Sequence, residues 1–202
     1  MDKDELIRSL KNKGFQDKIL NAFTKVKREN FVHENFKKLA YEDIALPLTN
    51  DQTISQPSTI ALALSLLKLK ENQKVLEIGS GCGYTLALIS EIIGGDGKAC
   101  GVEIVKELAD KSIENLKEYH NIKIYNRNGK ANSEEAPFNR ILISAALSEI
   151  PHEITDQLGE NGIIVAPIGS DFMQTLTSIR KTEGKFTIEK EIPGFIFVHF
   201  VD

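Results

Sequence analysis

Val75-Leu76-Glu77-Ile78-Gly79-Ser80-Gly81-Cys82-Gly83 decides the fold. An apolar-biased strand runs straight into three glycines, and the helical pattern Leu86-Ala87-Leu88-Ile89 begins directly behind them. Glycines here let the backbone turn tightly and let a ligand approach with no Cβ in the way. The G-x-G-x-G spacing differs from the G-x-G-x-x-G of dinucleotide loops, where a pyrophosphate rests on the helix N-terminus. The loop therefore reads as shaped for a nucleoside without phosphates, which disfavours an NAD-type ligand.

Working outward, a helix is expected over residues 57–69, strands over 74–78 and 99–104, and a helix between them after Gly83, which makes a βαβ unit. Further strands are expected at 122–125, 140–144 and 162–167, with helices at 106–119 and around 152–158. Strands alternating with helices predict an α/β fold, a doubly wound, mostly parallel Rossmann-like sheet covered on both faces. Upstream, Leu6, Ile7, Leu10, Ile19, Leu20, Phe23 and Val26 recur at helical spacings with a break at Gly14, giving N-terminal helices. Residues 41–57 have no period and are rich in Thr, Asn, Asp and Gln, so this long irregular segment is expected to be functional. In the tail, 174–181, 186–192 and 195–200 are β-rich and separated by Glu183-Gly184 and Pro193-Gly194, predicting antiparallel edge strands. The expected organisation is a single domain over 1–202: helices and a substrate loop to 57, an α/β core over 58–170, and a β segment over 171–202.

With 25 basic and 29 acidic residues in 202, no general field draws in nucleic acid or an anionic membrane. The charged start Met1-Asp2-Lys3-Asp4-Glu5 leads into no apolar run, and no stretch approaches the ~18 apolar residues of a membrane span. A cytoplasmic monomer is expected. Cys82 and Cys100 are too few for a disulfide framework, and neither they nor His33, His120, His152 and His199 show metal-ligand spacing, so no metal is expected.

Glu103 lies 24 residues after Gly79, at the end of the second expected strand, where a carboxylate can accept hydrogen bonds from both hydroxyls of a ribose. This pairing reads as the cofactor site of an S-adenosylmethionine-dependent methyltransferase. Its expected cofactor-binding residues are Glu77, Ile78, Gly79, Ser80, Gly81, Gly83, Glu103 and Ile104, with Asn128 and Gly129 from the next strand end. Asn128 can accept a bond from an adenine amino group, or can simply serve a turn. Cys82 needs no chemical role.

Several separate stretches resemble the protein-L-isoaspartate O-methyltransferase family. Ala40-Tyr41-Glu42-Asp43-Ile44-Ala45-Leu46-Pro47-Leu48 followed by Gln52-Thr53-Ile54-Ser55-Gln56-Pro57 is similar to its A-Y-x-D-x-P-L-P-I…Q-T-I-S-x-P signature. Residues 75–84 resemble its V-L-E-I-G-x-G-x-G-Y, and Phe138-Asn139-Arg140-Ile141, Glu149-Ile150-Pro151, Pro167-Ile168-Gly169 and Gln174-Thr175-Leu176 follow in the family's order. The resemblance implies methyl transfer from S-adenosylmethionine, leaving S-adenosylhomocysteine, to the α-carboxylate of L-isoaspartyl residues in damaged proteins. The ester then closes to a succinimide that hydrolyses partly to aspartate, which repairs the chain. It also implies a catalytic Ser55 in a substrate loop of Thr53, Ile54, Ser55 and Gln56.

That chemistry suits the residues present. A carboxylate with an ordinary pKa near ~3.9 is already ionised at neutral pH and needs placement more than a base. Ser55 also suits a helix N-cap before Pro57. The sequence departs from the family where Arg127-Asn128-Gly129 replaces G-D-G, Thr49-Asn50-Asp51 replaces G-x-G, Ser58 follows Pro57, Asn139 replaces Asp, and His199 stands in the terminal F-V-P-L. Asp51 sets a negative charge beside the expected carboxylate site. Two alternatives stay open: a relative acting on another carboxylate or small molecule, and a non-catalytic cofactor binder. The Asn/Asp-Pro-Pro-aromatic motif of base amine methylation is absent from Ser144-Ala145-Ala146-Leu147.

Overall fold

A computed structural model describes residues 1–49 and 52–201 of the chain; Asn50 and Asp51, and the charge expected of Asp51, lie outside the described residues. Helices α1 (Lys3–Asn12) and α2 (Asp17–Lys25) lead the chain, separated where Gly14 turns at φ +85°. Asp2 and Glu5 cap α1 reciprocally, which satisfies donors that the helix itself leaves unpaired. After two 3-10 turns, residues 41–49 and 52–56 stay irregular apart from a two-residue ribbon of β1 (Leu46–Pro47) and β2 (Thr53–Ile54). Helix α3 (Pro57–Leu67) follows, with Pro57 in its first turn.

The central sheet has strands β3 (Lys74–Ile78), β4 (Lys98–Glu103), β5 (Ile122–Asn126), β6 (Phe138–Ile143), β7 (Leu158–Gly169), β8 (Gln174–Thr182) and β9 (Lys185–Phe195). Their order is β5-β4-β3-β6-β7-β8-β9. Pairing is parallel from β5 to β7 and antiparallel across β7-β8-β9. Chain order reverses at β3, with β4 on one side and β6 on the other, so a crevice opens above their C-terminal ends.

Alternation along β3 sorts the core into two layers. Val75 joins Ala99, Leu142 and Val165 against α1 to α4 (Tyr84–Ile93), whereas Leu76 and Ile78 join Cys100, Val102, Ile141 and Ile143 on the other face. That second face is closed by α6 (His152–Thr155), by loop residues Ala136, Leu147 and Ile150, and by Phe200, with no helix between β5 and β6. Helix α5 (Lys106–Asn115) joins β4 to β5.

Two expectations are corrected. The helix expected around 152–158 is a single turn ending at Thr155, because β7 begins at Leu158 with Leu158 opposite Phe138. The expected third tail strand over 195–200 does not form: β9 runs through Pro193 to Phe195, and the chain then folds back over the crevice. There Ala146 N–H donates to Val198 and Phe200 N–H donates to Ala146.

Candidate active site

The crevice holds a cleft of about 820 Å³, counting its open mouth. Its floor is the loop after β3, where Gly79, Gly81 and Gly83 all have positive φ (+79°, +52° and +87°), which explains three glycines in five residues. A Cβ on Gly79 or Gly81 would meet nothing closer than 3.5 Å, so there the glycines serve backbone conformation and leave the floor open. A Cβ on Gly83 would lie 2.6 Å from Leu116 and Ser112, so this glycine also lets α4 pack against α5.

Glu103 ends β4 with both oxygens engaged. Oε2 accepts from Gly81 N–H at 2.8 Å and Oε1 from Val105 N–H at 2.9 Å, so the carboxylate clamps the glycine loop to the strand end. Each oxygen keeps a second lone-pair site toward the cleft that it lines. Glu77 is 1% exposed; its Oε1 accepts from the Ser144 hydroxyl at 2.8 Å and its Oε2 has no partner among the described residues. Burial pushes its carboxyl up to about 8, and the Glu103 charge adds to the rise against the lowering influence of the nearby Ser144 and Thr85 hydroxyls. Ser80 Oγ is likewise buried without a partner. Unpaired buried acceptors and hydroxyls at a glycine floor fit a ligand carrying ammonium and hydroxyl donors.

Thr53, Ile54 and Ser55 line the same cleft opposite the glycine loop. Thr53 and Ser55 also line a second cleft of about 820 Å³, shared with Gln56, Ser144 and the uncharged wall Phe195-Ile196-Phe197. The two cavities thus meet between Ser55 and Ser144. The Ser55 hydroxyl makes no hydrogen bond to any described residue. It is not the cap of α3: Gln56 holds that position, and Asp43 Oδ1 accepts from Ser58 N–H at 2.8 Å. Gln56 donates to Ser58 Oγ at 2.9 Å and faces only the second cleft.

Of the expected cofactor set, Glu77, Ile78, Gly79, Ser80, Gly81, Glu103, Ile104 and Gly129 line the first cleft. Gly83 sits behind them as the N-cap of α4. Asn128 is not brought to the cleft, since its Oδ1 accepts from Lys130 N–H at 2.8 Å in a local turn. Arg127 and His199 are among the lining residues that the sequence reading did not assign to the site. Arg127 lines it with its guanidinium 4.6 Å from the Tyr125 ring centroid, and its Nε and Nη2 are buried without partners among the described residues. His199 reaches it on the returning tail, where only long-range folding could have placed it. Among the described residues no group of three or more His, Cys, Asp or Glu side chains gathers to hold a metal.

The sequence matches the family described as Protein-L-isoaspartate(D-aspartate) O-methyltransferase (PCMT) over residues 1–202. The chain belongs to this family. It is 38% identical over 199 residues to a protein-L-isoaspartate O-methyltransferase of Methanococcoides burtonii, covering 97% of this chain and 98% of that one. It is 38% identical over 183 residues to that of Thermosipho melanesiensis, covering 89% and 92%. A crystal structure of a Plasmodium falciparum protein of this description, in complex with S-adenosyl-L-homocysteine, superposes with a TM-score of 0.87 at 28% identity, covering 100% of this chain and 99% of that one. This isoaspartate methyltransferase family member is an S-adenosylmethionine-dependent enzyme, and the glycine floor with Glu103 is the part of its cleft suited to a nucleoside.

Proposed function

We propose that the joined clefts transfer a methyl group from S-adenosylmethionine to the α-carboxylate of an L-isoaspartyl residue, with Ser55 as the catalytic donor. The observation that carries this reading is the meeting of two cavities at Ser55, one floored by glycines and Glu103 and the other lined by uncharged residues. Bound S-adenosylmethionine supplies an electrophilic methyl group, and the carboxylate oxygen forms the new C–O bond as the C–S bond breaks and its electron pair stays on sulfur.

The chain's own residues hold and align. Glu103 accepts from the ribose hydroxyls while keeping the glycine loop in place. Ile104 and Gly129, which line the cleft, would flank the base, and the unpartnered Glu77 Oε2 and Ser80 Oγ would serve the cofactor's amino-acid end. Ser55, flanked by Thr53, Ile54 and Gln56, donates to the substrate carboxylate, which is ionised at neutral pH and needs no base. Proximity and orientation supply the rate.

The test is methyl transfer from labelled cofactor to an isoaspartyl peptide and to its aspartyl twin. Transfer to the first alone is expected. Cofactor binding with no transfer to either peptide would sink the reading in favour of another substrate.

A further inference from the structure

Arg28 is an arginine without a carboxylate. Its side chain is fully enclosed, yet no Asp or Glu among the described residues lies within salt-bridge distance of it. Its fork is spent on backbone: Nη1 donates to the Ala40 carbonyl at 2.7 Å and the Glu42 carbonyl at 3.4 Å, and Nη2 to the Ile44 and Ser55 carbonyls, both at 3.1 Å. Nε has no partner, and the Tyr84 ring centroid lies 5.9 Å from the guanidinium carbon. Asp43, whose charge favours the ionised guanidinium, is committed to Lys13 at 2.7 Å and to the Ser58 N–H. An enclosed cation hydrogen-bonded to carbonyls and to no carboxylate is costly, and a hydrophobic side chain of similar size often serves stability as well or better.

The carbonyls that Arg28 gathers come from both ends of the irregular segment that carries Ser55. We propose that Arg28 is the positioning residue of the substrate loop, tying residues 40–44 to Ser55 and lending a fixed positive potential to the carboxylate bound there. Nη2 lies 3.1 Å from the Ser55 carbonyl, so a carboxylate held by the hydroxyl of the same residue sits close to this charge and across protein instead of bulk water, where attraction is little screened. Arg28 touches neither substrate nor cofactor; it acts through Ser55 and through its field. This inference rests on the isoaspartyl reading above.

The test compares Arg28→Gln, which keeps amide donors and loses the charge, with Arg28→Lys, which keeps the charge and loses the fork. Each is assayed for transfer to an isoaspartyl peptide, for inhibition by that peptide's neutral carboxamide analogue, and for S-adenosylhomocysteine affinity by calorimetry. The wild type is expected to prefer carboxylate over carboxamide at least tenfold. R28Q is expected to lose most of that preference, with KM raised at least tenfold and cofactor affinity unchanged, while R28K retains the preference. A purely structural role shifts both ligands equally, so an unaltered preference in R28Q overturns the proposal. Should R28Q fail to fold, R28K decides: preference kept supports the field, and preference lost refutes it. No transfer by the wild type overturns the isoaspartyl reading itself, and this inference with it.

Discussion

At the scale of single residues, the site separates groups that bond the ligand from groups that hold those groups still. In the proposed reaction Ser55 is of the first kind, and a hydrogen bond to a charged partner is worth about 1.5–3 kcal/mol, or roughly tenfold to a hundredfold in rate. Ser55→Ala should lose that much in kcat/KM for an isoaspartyl peptide while calorimetry with S-adenosylhomocysteine stays unchanged; a parallel loss of cofactor affinity would move Ser55 out of the substrate role. Glu77 carries a pH signature. Its folded carboxyl is pushed up to about 8 from 4.5, chiefly by burial, so between those values the folded protein holds a proton that the unfolded chain has released. The contribution of Glu77 to the stability of the ligand-free protein therefore falls as pH rises from about 4.5 through 8. Melting temperatures measured across that window should decline less in Glu77→Gln than in the wild type, and equal slopes would remove Glu77 as the cause. Sequence reading reached both side chains through motifs. It could not reach Arg28, because a lone arginine among N-terminal helices looks like any solvated cation until the fold encloses it.

Elements built on local rules were the most legible. Strand β3 occupies the residues that its apolar run predicts, and α4 starts where the glycines end, because turn and strand are both coded within a few adjacent residues. The same locality makes the glycine loop testable. Gly83→Ala adds a Cβ at φ +87° against Leu116 and Ser112, 2.6 Å away, and should cost about 2–4 kcal/mol in urea unfolding. Gly14→Ala, at φ +85° with nothing within 4 Å, should cost only the left-handed penalty of about 1–2 kcal/mol. Similar losses in the two variants would mean that contact between α4 and α5 is not what Gly83 protects. Less legible were elements whose ends are set by distant partners. Pro193-Gly194 looks like a strand break, yet the β9 strand continues to Phe195 because Thr175 and Gln174 of β8 hold it. The expected third tail strand fails because its residues find Ala146 and the crevice instead of a sheet edge. Asn128 was likewise ambiguous between turn and ligand, and its side chain is spent on the Lys130 amide.

For the molecule as a whole, the cofactor cleft is assembled from stretches far apart in the chain, among them residues 52–55, 77–82, 102–105 and 198–201. The fold class was readable because alternation of strand and helix repeats along the chain, whereas the roof contributed by residues 198–201 depends on contacts with Ala146, some fifty residues upstream. Removing residues 196–202 should leave the far-ultraviolet circular dichroism of the sheet nearly intact and weaken S-adenosylhomocysteine binding at least tenfold by calorimetry. Unchanged affinity would show that the tail covers the cleft without contributing to it. A cleft bounded by so many separate stretches is also a place where one ligand touches all of them at once. Any ligand that binds only the folded form adds stability by mass action, about 2.7 kcal/mol at a hundred times its dissociation constant. The lifetime of this protein in a cell is thereby tied to the supply of methyl donor: when the donor runs short, the repair enzyme is itself left more open to unfolding and degradation.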